Sequence, residues 1–446
     1  MDRRPYVAAG KTRRQTRTTH PAGMTRRTED ALIVGGGLAG LSCAITLAEH
    51  GLRVRVIEAA PRLGGRAGSF FEPRMGQWID QGPHLLIGAY RHTLDLLRRC
   101  NAEHLVHWQS SLQLPLWDPQ RGRFALHPSP RLPLAIALPR ALAMLPGHSF
   151  ASVPAMLRLR FGQAGTHETV VQWLQRVRAP HELVRDFLEP LCLAAMNEHM
   201  DTANARSFQR VLVTAFANHA HARLGWFRQP LGLCIETLAK HARSLGVCIT
   251  THTQINGVSH RAGMTVLRSQ RGEEFRAPHA VATVPPWHQH RLSAPVATPA
   301  SNPITNIHLW FDEQLRLPYP FIGGLGTQGQ WFFDVSAQTR QRSTGSHLCV
   351  VISAFHAGNK RTLVDQACSE LARIMERKKL PEPCHSRVVC VRRATVLVRP
   401  HLPPNLPTGI VDSMEHPAPG QLPATIEYAI ERGKQGAERV LARCQH

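Results

Sequence analysis

Ala31-Leu32-Ile33-Val34-Gly35-Gly36-Gly37-Leu38-Ala39-Gly40 is the stretch on which the fold turns. Four apolar residues without alternation predict a short strand buried on both faces. Three glycines follow at once, and Leu41 to His50 has helical composition, with Gly51 placed to end the helix. Arg53 to Ile57 reads as a second strand, and Glu58 stands at its end, 18 residues past Gly40. A glycine-rich run means little alone. Between a strand and a helix, with an acid at that distance, it predicts a dinucleotide site. Gly35 permits the tight turn, Gly37 lets backbone approach a pyrophosphate, and Gly40 lets helix and strand pack closely. Gly36, Leu38 and Ala39 complete the loop and present amides at the positive end of the helix. The carboxylate of Glu58 can accept hydrogen bonds from ribose hydroxyls.

The residues that follow carry a resemblance. Glu58-Ala59-Ala60-Pro61-Arg62-Leu63-Gly64-Gly65-Arg66-Ala67 resembles the second signature of the flavin amine oxidase and phytoene desaturase superfamily. The resemblance implies FAD as cofactor, with Ala59, Gly64, Gly65 and Arg66 against its diphosphate. A guanidinium suits phosphate charge; a plain surface arginine in a turn is the other reading of Arg66. Ile79-Asp80-Gln81-Gly82-Pro83-His84 resembles the segment that passes near the isoalloxazine, which implicates Gly82, Pro83 and His84. His84 has a second reading, a turn-shaping histidine bonded to backbone. The region ending at Ile255 is similar to the element whose backbone meets the adenine. Val284-Pro285-Pro286-Trp287 resembles the exit from the cofactor domain. Leu422 to Glu427 resembles the closing helix, whose first amides, at Ala424, Thr425 and Ile426, face the flavin pyrimidine.

One departure stands out. The superfamily pairs a glycine with an aspartate shortly before that helix. Here Gly409-Ile410-Val411-Asp412 puts valine where the glycine belongs, and the loop to Pro423 is longer. Asp412 is the candidate stand-in, and Val411 is expected to crowd a close backbone approach.

Within the superfamily the chain is most similar to the squalene-associated branch, the hydroxysqualene dehydroxylases of hopanoid synthesis. Gln81 to Tyr90, Pro190 to Asn197, Pro303 to Phe311, Gln330 to Asp334 and Arg393-Ala394-Thr395 carry this. The branch implies reductive removal of an allylic hydroxyl from a long-chain isoprenoid. No residue is assigned as the acid for the departing hydroxyl, and no metal is expected. A carotenoid desaturase, an amine oxidase and a non-catalytic lipid-binding paralogue remain the alternatives.

The expected fold class is α/β: a discontinuous Rossmann-like FAD-binding domain with an inserted α+β substrate domain. Residues 29–105, 230–286 and 388–446 are assigned to the first, and 106–229 with 287–387 to the second. Strands are expected at 247–251, 264–267, 280–284, 305–311 and 347–352, and helices at 91–100, 235–245, 363–378 and 424–443. The stretch 169–216 reads mostly helical. A chain of 446 residues exceeds one hydrophobic core, which agrees with two domains.

Net charge is +22, from 53 Lys+Arg against 31 Asp+Glu. That favours anionic surfaces, but no nucleic-acid-binding motif is present. The ten cysteines form no Cys-x-x-Cys, which argues against zinc sites or a disulfide framework. Residues 1–28 are Arg-rich with one acid and are expected to be disordered. They read either as an over-extended start before Met24 or as a transit-like leader. No apolar run reaches membrane-spanning length, so the expected location is cytoplasmic, at or near the inner membrane face. The proline-punctuated apolar stretch Leu132–Leu157, flanked by Arg131, Arg140, Arg158 and Arg160, has two readings. It forms a tunnel mouth or membrane-dipping element, or it is ordinary core.

Overall fold

The first strand, β1 (Ala31–Val34), is buried along its whole length and apolar on both faces, so it can only be central. In the computed structural model it pairs in parallel with β2 (Val54–Ile57) on one side. The remaining strands of this sheet are β3 (Cys248–Thr250), β4 (His279–Ala282) and β5 (Ile410–Asp412), giving the order β3-β2-β1-β4-β5. The structure describes residues 29–292, 298–339, 345–400 and 406–445, so the readings of residues 1–28 and Met24 lie outside the described residues.

Alternate residues of β1 enter different cores. Ala31 and Ile33 join a cluster with Leu41 and Ile45 of helix α1 (Leu38–Glu49) and with Ile430 and Val440 of the closing helix Ile426–Cys444. Leu32 and Val34 join Ile255, Leu267 and Ala277, from a three-stranded antiparallel sheet on the opposite face. Sandwiched between helices and that small sheet, the parallel sheet presents its C-terminal strand ends to one edge, where Gly35, Glu58 and Asp412 sit.

A second sheet has seven strands, in the order His385–Val396, Ser301–Phe311, Ser346–Ser353, Trp331–Asp334, Phe321–Gly324, Leu114–Asp118 and Gly122–Leu126. One face of Ser301–Phe311, through Ile307, Leu309 and Phe311, packs on helix Lys360–Ile374. Its other face presents Asn306 and His308 toward residues 81–82. A helical layer built on Trp173, Phe208 and Leu142 contains α2 (Leu134–Ala143), α3 (Ser152–Phe161) and α4 (Ala205–Ala215).

The expected segment boundary at 388 falls inside a strand. His385–Val396 pairs along its length with Ser301–Phe311, so these residues go with the large sheet, and the chain re-enters the parallel sheet only at Ile410. It is an edge strand with exposed arginines, and its polar composition hid it.

Candidate functional site

The glycine loop is held by backbone and one carboxylate. Glu58 accepts the Gly36 amide at 2.6 Å through Oε2 and the Ala60 amide at 2.7 Å through Oε1. The Gly64 amide donates to the Gly36 carbonyl at 2.9 Å, and Gly37 bridges Gly64 in parallel. The Gly64-Gly65 turn therefore folds directly onto the loop. A Cβ on Gly40 would sit 1.9 Å from the Gly35 carbonyl oxygen, so helix and strand touch backbone to backbone. Gly35 has φ +111°, and the Thr283 hydroxyl donates to the Val34 and Gly35 carbonyls at 2.9 and 3.0 Å. Helix α1 starts at Leu38 with Gly37 at its N-cap, no side-chain cap and no acid in its first turn. Its first amides have no partner within the helix. That leaves a small positive cradle, closed by glycines, at the sheet edge.

Neighbouring elements converge on Glu58. Its amide donates to Thr250 at 2.8 Å and its carbonyl accepts from Thr253 at 2.9 Å. Ile255 follows, its side chain packed with Ile57 in the core, and Ala59 is exposed beside the strand end. Ala39 lies where the closing helix crosses α1: a Cβ on Gly433 would fall 2.1 Å from its carbonyl oxygen.

Arg66 points elsewhere. Its guanidinium pairs with Glu415, donates to the Ala394 carbonyl at 3.0 Å and lies 5.5 Å over the Trp287 ring. Arg393 approaches that ring at the same distance. Asp412 ends β5 with one oxygen on the Met414 amide (2.9 Å) and the other on Arg432 (3.1 Å). Val411 corrects an expectation. Its side chain is buried in the core with Val281 and Ile430, so it does not crowd the strand end. Gly409, at φ +88°, faces Thr265 and His260.

The closing helix begins at Ile426 after Ala424, with Thr425 capping it through the Tyr428 amide at 3.2 Å. Glu427, 3% exposed, accepts the His92 and Thr93 amides at 2.9 Å each and the Thr93 hydroxyl at 2.7 Å. It thereby caps helix Arg91–Arg99 and fixes the closing helix against it.

Gly82, Pro83 and His84 form a second group. A Cβ on Gly82 would collide with Asn306 Oδ1 at 2.1 Å. Pro83 and His84 line a recess of about 450 Å³ together with Asp80, Trp226, His308 and His347. Burial holds the His84 and His308 imidazoles down to about 4, and His347 is also pushed well below the ordinary histidine range. His308 Nδ1 is 3.0 Å from His347 Nε2, and its Nε2 is 3.4 Å from the Gln81 carbonyl. Neutral at physiological pH, these rings can donate or accept hydrogen bonds but cannot supply a cation.

The structure thus gathers Gly35 to Gly40, Glu58, Gly64 and Gly65 into one cradle, with Ile255 one turn away. It commits Arg66 and Asp412 to ion pairs. Sequence reading missed Thr283, Asn306 and Glu415. Thr283 directly precedes the quoted Val284-Pro285 exit and could have been found there; the other two act through partners far away in the chain.

The family model for flavin containing amine oxidoreductase matches residues 38–397. The chain belongs to that family. This flavin-containing amine oxidoreductase is an oxidoreductase whose cofactor is FAD, and its fold is α/β. The cradle fits the group: uncapped amides at the start of α1 for a diphosphate, no room for a side chain at Gly35 or Gly40, and an acid at the end of β2. Hydroxysqualene dehydroxylase of Zymomonas mobilis is 24% identical over 427 residues, covering 92% of this chain and 98% of the relative. The 15-cis-phytoene desaturase of Arabidopsis thaliana is 23% identical, over 65% of this chain and 56% of that one. The solved structure of an oxidoreductase from Methanosarcina mazei superposes with a TM-score of 0.70 at 15% identity, covering 93% of this chain and all of that one.

Proposed function

We propose that this family member acts on a long isoprenoid, removing the allylic hydroxyl of hydroxysqualene to give squalene. The observation that carries the reading is end-to-end similarity: the hydroxysqualene dehydroxylase of Zymomonas mobilis is matched over 98% of its length, the phytoene desaturase over 56%. Reduced FAD supplies the hydride equivalent, and the hydroxyl leaves as water with one added proton. Substrate and reduced cofactor thus give squalene, water and oxidised cofactor.

In this reading the chain's own groups do the holding. Gly35 to Gly40 and the start of α1 bind the diphosphate, with Gly64 and Gly65 closing over it. Glu58 would receive the ribose, the backbone near Ile255 would meet the adenine, and the amides of Ala424, Thr425 and Ile426 would serve the pyrimidine. Gly82 to His84, set by Asn306 and His308, border the reacting end. The domain division is part of the same proposal, with 29–105, 230–286 and the segment after Val396 around the cofactor. So is a location at the inner membrane face. Among the described residues no helix is long and apolar enough to cross a membrane.

A mass-spectrometric assay tests this. Holoprotein with a chemical reductant and hydroxysqualene should produce squalene. Inertness toward hydroxysqualene, with desaturation of phytoene under oxidising conditions, would replace the reading with a desaturase.

A further inference from the structure

Eight large hydrophobic side chains are exposed among the described residues, and six of them come from three helices that pack in series and the loop joining the first two. Ile136 and Met144 come from α2 and its end, Phe150 from the following loop, Leu157 and Phe161 from α3, and Val213 from α4. Phe150 is 75% exposed, Phe161 73% and Met144 68%. Between the helices runs an apolar groove of about 510 Å³, with Leu134, Leu138, Met156, Leu159, Leu212 and Phe216 in its walls. Surface apolar residues scattered singly need no explanation, but six on one packed group of helices beside an apolar groove do.

The charge around the patch is one-sided. From residue 119 to residue 167 the sequence holds six arginines and no aspartate or glutamate. Arg131, Arg140, Arg158 and Arg160 are exposed, and among the described residues none of them pairs with a carboxylate. The acids that flank this stretch in sequence, and those its loop touches, are already engaged. Asp118 pairs with Arg121, Glu168 with Arg176, and buried Asp186 with Arg121, Arg185 and His148; Glu182 accepts from the Ser149 hydroxyl.

The loop that lifts Phe150 is anchored from below. His148 Nε2 lies 2.9 Å from Asp186, Ser149 donates to Glu182 at 3.0 Å, and Arg121 donates to the Pro146 carbonyl at 3.0 Å. A projecting phenylalanine on a fastened loop presents a fixed apolar tip.

We infer that the face formed by α2, the Phe150 loop, α3 and α4 docks on an anionic phospholipid bilayer. The aromatic and aliphatic side chains enter the acyl boundary, and the arginines that hold no carboxylate meet the headgroups. An acidic protein surface would satisfy the arginines but not six protruding apolar side chains, and a neutral bilayer would satisfy only the latter. The docking needs no substrate, so it stands or falls apart from the reaction proposed above.

The experiment is co-flotation of FAD-loaded full-length protein with phosphatidylcholine vesicles, with and without phosphatidylglycerol. The wild type should float with the anionic vesicles and release as salt rises. Phe150→Ser with Phe161→Ser should reduce binding about tenfold or more. Arg140→Gln with Arg160→Gln should remove about tenfold of the preference for anionic vesicles. Flavin absorbance should be unchanged in both variants, which separates lost docking from lost folding. Three results would overturn the inference: no flotation, flotation unaffected by either pair, or lipid-free self-association abolished by Phe150→Ser, which would make the face an interface between two copies.

Discussion

Oε2 of Glu58 lies 2.6 Å from the amide nitrogen of Gly36, while Oε1 takes the amide of Ala60. One carboxylate thus ties the end of β2 to the glycine loop and keeps further lone pairs for a ligand. Removing it should loosen the loop and lose the ribose contact together. Glu58→Ala is expected to weaken FAD binding by about tenfold to a hundredfold, the scale of a lost hydrogen bond to a charged group. Fluorescence titration of apoprotein with FAD measures it; affinity within twofold of wild type would exclude Glu58 from the site.

Gly40 has no room for any side chain. With a Cβ placed 1.9 Å from the Gly35 carbonyl oxygen, Gly40→Ala must push α1 away from β1. A loss of about 3 kcal/mol or more is expected, at the upper end of overpacking costs. Urea unfolding followed by circular dichroism reads it, and the variant should also purify without yellow colour. An unchanged midpoint would contradict the close packing.

Glu427 caps a helix that is 334 residues away in sequence. Both of its oxygens accept, so Glu427→Gln turns an amide donor toward a backbone donor. The expected cost is about 1–3 kcal/mol. Hydrogen exchange should show the added opening at His92 and Thr93 first; a uniform change across the chain would deny the cap.

Asp80 gives a pH signature. Burial raises its carboxyl from the ordinary 3.8 to about 6, against hydrogen bonds from Ser69 and Leu231 that lower it. Between about pH 4 and 6 the folded protein then binds more protons than the unfolded chain, so this group's contribution falls as pH rises through the window. Asp80→Asn should remove that slope. Relative to wild type, the variant should gain stability from pH 4 to 6 and level off above, by up to about 3 kcal/mol, the free-energy equivalent of moving the carboxyl from 3.8 to about 6. Parallel stability curves for the two proteins would rule this out.

The parallel sheet was readable because its strands carry their reasons locally. Expected at 31–34, the first strand forms at Ala31–Val34, and the helix expected at 91–100 forms at Arg91–Arg99. An unbroken apolar run between turn residues needs no distant partner to be recognised. His385–Val396 was not readable, since its pairing with Ser301–Phe311 supplies what its arginines disguise. At the site, Gly36 and Glu58 sit 22 residues apart in one supersecondary unit, so their contact follows from spacing. Arg66 could be placed in its turn but not aimed, because its partner Glu415 comes 349 residues later. Val411 shows the same limit: strand register sends it into the core, and register is set by β4.

A single anaerobic turnover reads the proposed reaction itself. Protein loaded with FAD is reduced, freed of excess reductant and mixed with hydroxysqualene, while flavin absorbance and squalene are followed together. Oxidised flavin bands should return in equimolar amount with the squalene formed. Flavin that stays reduced, with hydroxysqualene unchanged, would contradict the proposed reaction.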